Sequence, residues 1–157
     1  MVVINPDAGI QAITMIIGCV AFAMIFQVRG IQVIYSGIGA MITWFTYLIV
    51  FQQTDSLFIA TVAGAIFVGE YAFVMARINR APTTIFLYAS VLPLIPGSHL
   101  YYMMYCLVRK DLVMAGSEAK LFVLACLGIA VGFLVVEIIN KYAALGIGAV
   151  KRAIAKA

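Results

Sequence analysis

Polar side chains cluster directly after two prolines in one apolar part of this sequence. The stretch PLIPGSHLY, residues 93–101, lies within the segment 81–108, which contains no Asp, Glu, Lys or Arg. Pro93, Pro96 and Gly97 disrupt helices, and the hydrogen-bonding side chains that follow them are Ser98, His99, Tyr101, Tyr102 and Tyr105. Such groups could hold a small polar solute, and the only histidine could also carry a proton.

The two prolines predict a break in a membrane-spanning helix. A continuous helix over 81–108 would be about 42 Å long, well beyond the roughly 30 Å hydrocarbon core of a bilayer. Proline lacks an N–H donor and crowds the preceding turn, so we expect the helix to kink or open over 94–97. Freed carbonyl groups cannot face lipid, and the break must therefore face protein or a watery cavity. The amino end of the second half-helix, at Gly97, could then attract a carboxylate. A proline kink that binds nothing is the alternative.

Glu70 is the second candidate because it is an ionisable side chain inside the apolar run 56–76. A carboxylate is costly to bury in a membrane, and such residues often carry protons or hold cations. We predict that Glu70 takes part in proton coupling or holds an ammonium group. Alternatively, it extends to the membrane edge near Arg77 or pairs with that residue.

The composition is that of a membrane protein. Of the 157 residues, 66% are hydrophobic and only 10% are charged, whereas soluble domains are about half apolar and a quarter charged. Five runs are long and apolar enough, or nearly so, to cross a bilayer: 8–28, 31–54, 56–76, 81–108 and 121–139. The predicted fold is therefore an all-α, polytopic transmembrane bundle over 1–140, with its fourth span broken at the PxxPG motif.

The distribution of Lys and Arg predicts the orientation of the chain. With five spans and the N-terminus outside, the inside segments hold seven basic residues: Arg29, Arg77, Arg80, Lys141, Lys151, Arg152 and Lys156. The segment 109–120, between the fourth and fifth runs, is predicted to be a polar connection, and it holds the three basic residues that remain outside: Arg109, Lys110 and Lys120. Basic residues favour the cytoplasmic side, so this count places the C-terminus inside. If the fourth run folds back, the count becomes six against four, and charge alone does not decide.

The tail 141–157 differs from the spans because basic residues return. As a helix, it would place Ile147, Val150 and Ile154 on one side and Lys151, Arg152 and Lys156 on another, which is typical of a basic interfacial helix. A frayed, solvated tail is an equal alternative, because Gly146 and Gly148 weaken a helix.

Small and aromatic residues predict how the spans pack. Gly128 and Gly132 form a GxxxG pattern in the fifth span, and such patterns allow close helix contact. Trp44 and Tyr47 lie midway along the second run and could line a cavity. We expect Glu137 to form a surface pair with Lys141 at i+4.

Several classes of function find no support in the sequence. Phosphate-loop, zinc-protease and serine-nucleophile motifs do not occur, so we predict no enzyme, no metal and no cofactor. The net charge of +4 comes from dispersed residues, which argues against a nucleic-acid partner. We interpret the three cysteines, Cys19, Cys106 and Cys126, as small buried hydrophobic residues. The first apolar run lacks a cleavage site, and we expect it to remain in the mature protein.

The most specific residues resemble one family. Glu70, Arg77, Pro82, the PLIPG stretch at 93–97 and the following Tyr101 look like the short, C-terminal-type subunit of the threonine/serine exporter family. The similarity extends from the first span, with its Phe-x-Val-Arg end at 26–29, to the fifth span. His99 is not part of the family pattern.

The resemblance implies half of a secondary transporter in the cell (inner) membrane. Short subunits of this family pair with, or are fused to, a larger multi-span subunit, whose own motif is absent here. The implied activity is proton-driven export of a small amino acid, threonine or serine. Export of small dicarboxylates such as succinate and a non-transporting membrane scaffold are the alternatives. The expected pathway contains Glu70, Pro93, Pro96, Gly97, Ser98, His99, Tyr101 and Tyr105. The expected partners are the bilayer and the larger subunit, with a homo-oligomer possible.

Overall fold

The computed structural model describes residues 6–26 and 30–154 and is helical throughout its regular structure. The elements are α1 (Pro6–Ile25), α2 (Gln32–Thr54), α3 (Leu57–Asn79), α4 (Thr83–Ser90), a 3-10 turn (Leu92–Leu94), α5 (Gly97–Val108) and α6 (Leu112–Ile154). Within the described residues there is no strand, so the predicted all-α fold class is confirmed.

Residues with left-handed backbone conformation end two of the helices. Asp55 closes α2 at φ 47°, and its N–H donates to the carbonyl of Phe51 at 2.9 Å. Arg80 closes α3 at φ 51°. Because the chain reverses within a few residues at each point, α2, α3 and α4 are consecutive antiparallel neighbours.

The last helix begins earlier than the sequence predicted. The segment 109–120 was expected to be a polar connection, but only Arg109, Lys110 and Asp111 lie outside helices there. The side chain of Asp111 accepts a hydrogen bond from the N–H of Met114 at 3.1 Å. This carboxylate caps the amino end of α6, and the residues that follow continue the helix into the fifth apolar run.

α6 runs parallel to α3, which lies at the centre of the bundle. Gly128 of α6 lies against Thr61 near the start of α3, and Val136 lies against Gly69 further along both helices. By contrast, α4 is antiparallel to α3. Phe86 of α4 packs on Ala72 in the second half of α3, whereas Leu94 of the later 3-10 turn packs on Gly64 in the first half. The chain therefore returns through α4, the 3-10 turn and α5 to the end of the bundle at which α3 begins.

The GxxxG pattern holds α6 against α3, as predicted. A Cβ atom at Gly132 would overlap the Cβ of Ala65 and lie 2.9 Å from the carbonyl oxygen of Val62. At Gly128 it would overlap the hydroxyl of Thr61. Only glycine permits this approach of the two backbones, so these positions set the distance between the helices.

The structure supports three or four membrane-capable helices among the described residues. α2, α3 and the Leu112–Ala143 part of α6 are long and apolar enough to cross a bilayer. The bent pair Thr83–Leu94 and Gly97–Val108 counts as a fourth if it is one span. The first of the five predicted spans forms α1 but is not among these helices, and its crossing stays a prediction.

The backbone of the tail is helical to Ile154 and continuous with α6. Gly146 and Gly148 therefore do not end the helix. The side chains that would form its basic face, including Lys151 and Arg152, and residue Lys156 lie outside the described part, as does Arg29, so the interfacial position remains a prediction.

Candidate functional site

The chain changes direction by 52° between the 3-10 turn and α5. Ile95 is extended, and α5 starts directly after Pro96. Local backbone hydrogen bonds remain here, since the N–H groups of Leu94 and Gly97 donate to Val91 and Ile95 at 2.9 and 2.8 Å. Pro96 has no side chain that could cap α5, so the first N–H groups of that helix have no side-chain acceptor.

Buried contacts hold the first side of this bend inside the bundle. The hydroxyl of Ser90, the last residue of α4, is buried and donates to the carbonyl of Ser36 at 3.0 Å. Pro93 and Leu94 are buried, and Leu94 packs over Gly64. Non-helical backbone at this point is therefore covered by protein, as membrane proteins require.

A cavity of about 120 Å³ lies beside the bend. Its lining is contributed by four helices and the connection between α4 and α5, and consists of Trp44, Tyr47, Leu57, Thr61, Pro93, Leu94, Ile95, Pro96, Ser98, His99 and Ala125. The prediction that Trp44 and Tyr47 line a cavity is confirmed. Because Leu57 is the first residue of α3, the cavity lies near the connection between α2 and α3.

His99 connects the two helices that follow the bend. Its Nδ1 atom lies 2.8 Å from Oε2 of Glu118 in α6, and the two side chains are 28% and 25% exposed. The donor and acceptor roles in this contact depend on the tautomer of the imidazole. The contact holds the imidazole at the cavity wall, and it is the only contact within 4.0 Å between an acidic and a basic side chain among the described residues.

Tyr101 and Tyr105 lie on another face of α5. Their side chains are 64% and 42% exposed, and their rings stack at 6.4 Å between centroids. The guanidinium of Arg109 lies 4.7 Å from the ring centre of Tyr105. The structure does not bring these two tyrosines to the cavity that Pro93, Pro96, Ser98 and His99 line. Gly97 is exposed beside that cavity.

Glu70 belongs to a separate polar site. It is half-buried on α3, about 13 Å beyond Thr61 along the helix. The amide of Asn140 donates to Oε1 of Glu70 at 3.3 Å and to the carbonyl of Val136 at 3.1 Å. Arg77 forms no ion pair with Glu70. Its guanidinium instead lies 4.3 Å from the ring centre of Phe73.

The sequence did not point to two side chains that contact candidate site residues in the structure, Glu118 beside His99 and Asn140 beside Glu70. Glu118 lay in the supposed polar connection, and Asn140 lies just beyond the fifth predicted span. A signal was present for Glu118, because it is an acidic residue in a segment with helix-forming neighbours. Asn140 carries no comparable signal, since its contact with Glu70 depends on how α6 packs on α3.

The sequence matches the family described as Threonine/Serine exporter, ThrE, over residues 11–139, which is most of the chain. The chain belongs to the threonine/serine exporter family. No curated protein and no solved structure matches it. The matched region of this exporter-family chain includes the cavity, His99, Glu118 and Glu70, and ends one residue before Asn140. Family membership and the apolar helices identify a multi-pass membrane transport protein.

Proposed function

We propose that this chain is one subunit of a proton-coupled exporter of threonine and serine in the cell (inner) membrane, and that it requires a larger multi-span partner. The observation that carries the proposal is the family match over residues 11–139. The structure supports it with two polar sites in an otherwise apolar bundle.

The cavity beside the bend is the proposed substrate site. Its size suits a small solute, being smaller than the pockets that bind drug-sized ligands. Ser98 and His99 offer polar groups, and Trp44 and Tyr47 offer aromatic walls. The hydroxyl of Thr61 already donates to backbone carbonyls of α3. An amino acid presents a carboxylate, which the uncapped amino end of α5 favours.

Glu70 is the proposed proton carrier. A half-buried carboxyl group can exchange a proton, and the amide of Asn140 can hydrogen-bond to it in either state, since an amide both donates and accepts. The separation of Glu70 from the cavity implies that substrate and proton bind at different places along α3.

The outward-facing tyrosines support the need for a partner. Tyr101 matches the family pattern and Tyr105 lies one helical turn after it, yet both rings lie on the surface of this chain. Their place in the pathway therefore requires a second subunit to cover α5.

The fourth apolar run is proposed to cross the membrane once. α6 runs parallel to α3, and this direction requires the intervening chain to return to the side where α3 began. A single crossing places the C-terminus on the side with seven of the ten basic residues, which is the cytoplasm.

Efflux from membrane vesicles that contain this chain and its partner subunit tests the proposal. A proton gradient should drive threonine export in the wild type, and Glu70→Gln should lower the rate at least tenfold. Asp55→Asn is the matched control, because Asp55 is an exposed carboxylate with left-handed backbone that Asn also adopts. Undiminished efflux in both Glu70→Gln and Tyr101→Phe would contradict the site assignment. Export of succinate in place of threonine would identify the dicarboxylate alternative, and no export at all would favour a scaffold.

A further inference from the structure

A groove of about 730 Å³ lies between α3, α4 and α6, apart from the cavity at the bend. Its walls are mostly apolar and consist of Gly69, Phe73, Leu87, Phe133 and Val136. Its polar lining comes from Arg77 and Thr83, which lie at the end of α3 and the start of α4, and from Glu137, Asn140 and Lys141 of α6. The groove therefore combines an apolar trough with a charged end.

The charges at that end favour an anion. Arg77 and Lys141 supply two cations against the single carboxylate of Glu137. Neither cation forms an ion pair with an acidic group among the described side chains. The guanidinium of Arg77 lies over Phe73, so its charge is at the boundary between the polar end and the apolar wall. Asn140 is already bonded to Glu70 and to the carbonyl of Val136.

The size and lining of the groove match an amphiphile better than a small solute. It is several times larger than the cavity at the bend, and most of its wall offers only hydrophobic contact. Basic pockets between membrane helices on the cytoplasmic side bind lipid headgroups, and Arg77 and Lys141 lie in segments that basic-residue counting places inside.

We propose that this groove binds one anionic phospholipid of the inner leaflet. Its phosphate would contact Arg77 and Lys141, and an acyl chain would lie along Phe73, Phe133 and Leu87. Among the side chains that line the groove, a headgroup with one net negative charge balances the excess of one positive charge; the carboxylate of Glu70 does not line the groove and is bonded to Asn140. The lipid would thereby hold α4 and α6 on either side of α3.

Native mass spectrometry of the purified full-length chain in mild detergent tests the proposal. We expect phosphatidylglycerol to bind more tightly than phosphatidylcholine, with one lipid retained preferentially. The double variant Arg77→Gln/Lys141→Gln should weaken phosphatidylglycerol binding by about tenfold, because each basic side chain near an anionic headgroup contributes to the binding free energy. Binding of phosphatidylcholine should change little.

Lys110→Gln/Lys120→Gln is the matched control, since it removes the same charge at the opposite end of the helix bundle. It should keep the wild-type preference for phosphatidylglycerol. Equal loss in both double variants would reveal general charge attraction and overturn the proposal. Unchanged phosphatidylglycerol binding by Arg77→Gln/Lys141→Gln would also overturn it.

The apolar wall provides a second, charge-neutral test. Leu87 is half-buried in the groove, and Leu87→Trp should fill space that an acyl chain would occupy. We expect the preferentially retained lipid to be lost while Arg77 and Lys141 are intact. Retention of that lipid in a Leu87→Trp protein with wild-type helicity would place the acyl chain elsewhere and overturn the proposal.

Discussion

Nδ1 of His99 lies 2.8 Å from Oε2 of Glu118, and this contact joins α5 to the first part of α6. The two residues are 19 positions apart and belong to the antiparallel pair that follows the bend. Because His99 also lines the cavity, the contact couples the position of the cavity wall to the packing of α6.

A double-mutant cycle should detect this coupling. We expect His99→Ala and Glu118→Ala each to lower the free energy of unfolding, with a coupling energy of about 1 kcal/mol or less, because both side chains are partly exposed. Thermal or denaturant unfolding in detergent gives the four required values. Strictly additive effects would mean that the contact contributes nothing to stability.

Removing the hydrogen bond to Glu70 should reduce transport less than removing its charge. Asn140→Ala takes away the amide donor but leaves the carboxyl group able to exchange a proton, so proton-driven threonine efflux should fall by less than about tenfold. Glu70→Gln should lower it further. Initial efflux rates in vesicles measure both. The assignment of Asn140 as the partner of Glu70 fails if Asn140→Ala changes neither the rate nor its dependence on pH.

Two glycines on the same helix should respond oppositely to alanine. At Gly132 a methyl group would overlap Ala65, so Gly132→Ala should lower the free energy of unfolding by roughly 1–3 kcal/mol. Gly116 has no neighbour within 4 Å of an added Cβ, and Gly116→Ala should be neutral or slightly stabilising, since alanine favours helix. Unfolding in detergent compares the two, and equal effects would contradict the close approach of α6 to α3.

Labelling of single cysteines should show that the bent segment crosses once. In a chain with its three native cysteines replaced, Gln53→Cys and Arg109→Cys should react with an impermeant maleimide from outside. Pro82→Cys should react only after the membrane is opened. All three positions lie at exposed ends of helices. If Arg109→Cys and Pro82→Cys share one side, the segment is re-entrant and the parallel direction of α3 and α6 has another cause.

The lengths of the uncharged runs predicted the helix boundaries well wherever a clear stop signal follows the helix. α2 and α3 agree with the predicted spans within about three residues at each end, because a charged residue or a left-handed turn stops the helix there. The prediction was poorest at the start of α6. Ser117, Glu118 and Lys120 were taken as signs of a loop, but polar side chains are compatible with a helix that another helix covers on one face.

The sequence by itself determined that this is an all-helical membrane protein of the exporter family. The thickness of the bilayer sets how many uncharged residues a span needs, and the residues of the family pattern lie within one continuous part of the sequence. The tertiary structure decided which polar groups meet. Glu70 meets Asn140 across α3 and α6, His99 meets Glu118 across α5 and α6, and Tyr101 and Tyr105 face outward. These contacts depend on the rotation and direction of each helix, and glycine contacts such as Gly132 with Ala65 set both only after the helices pack.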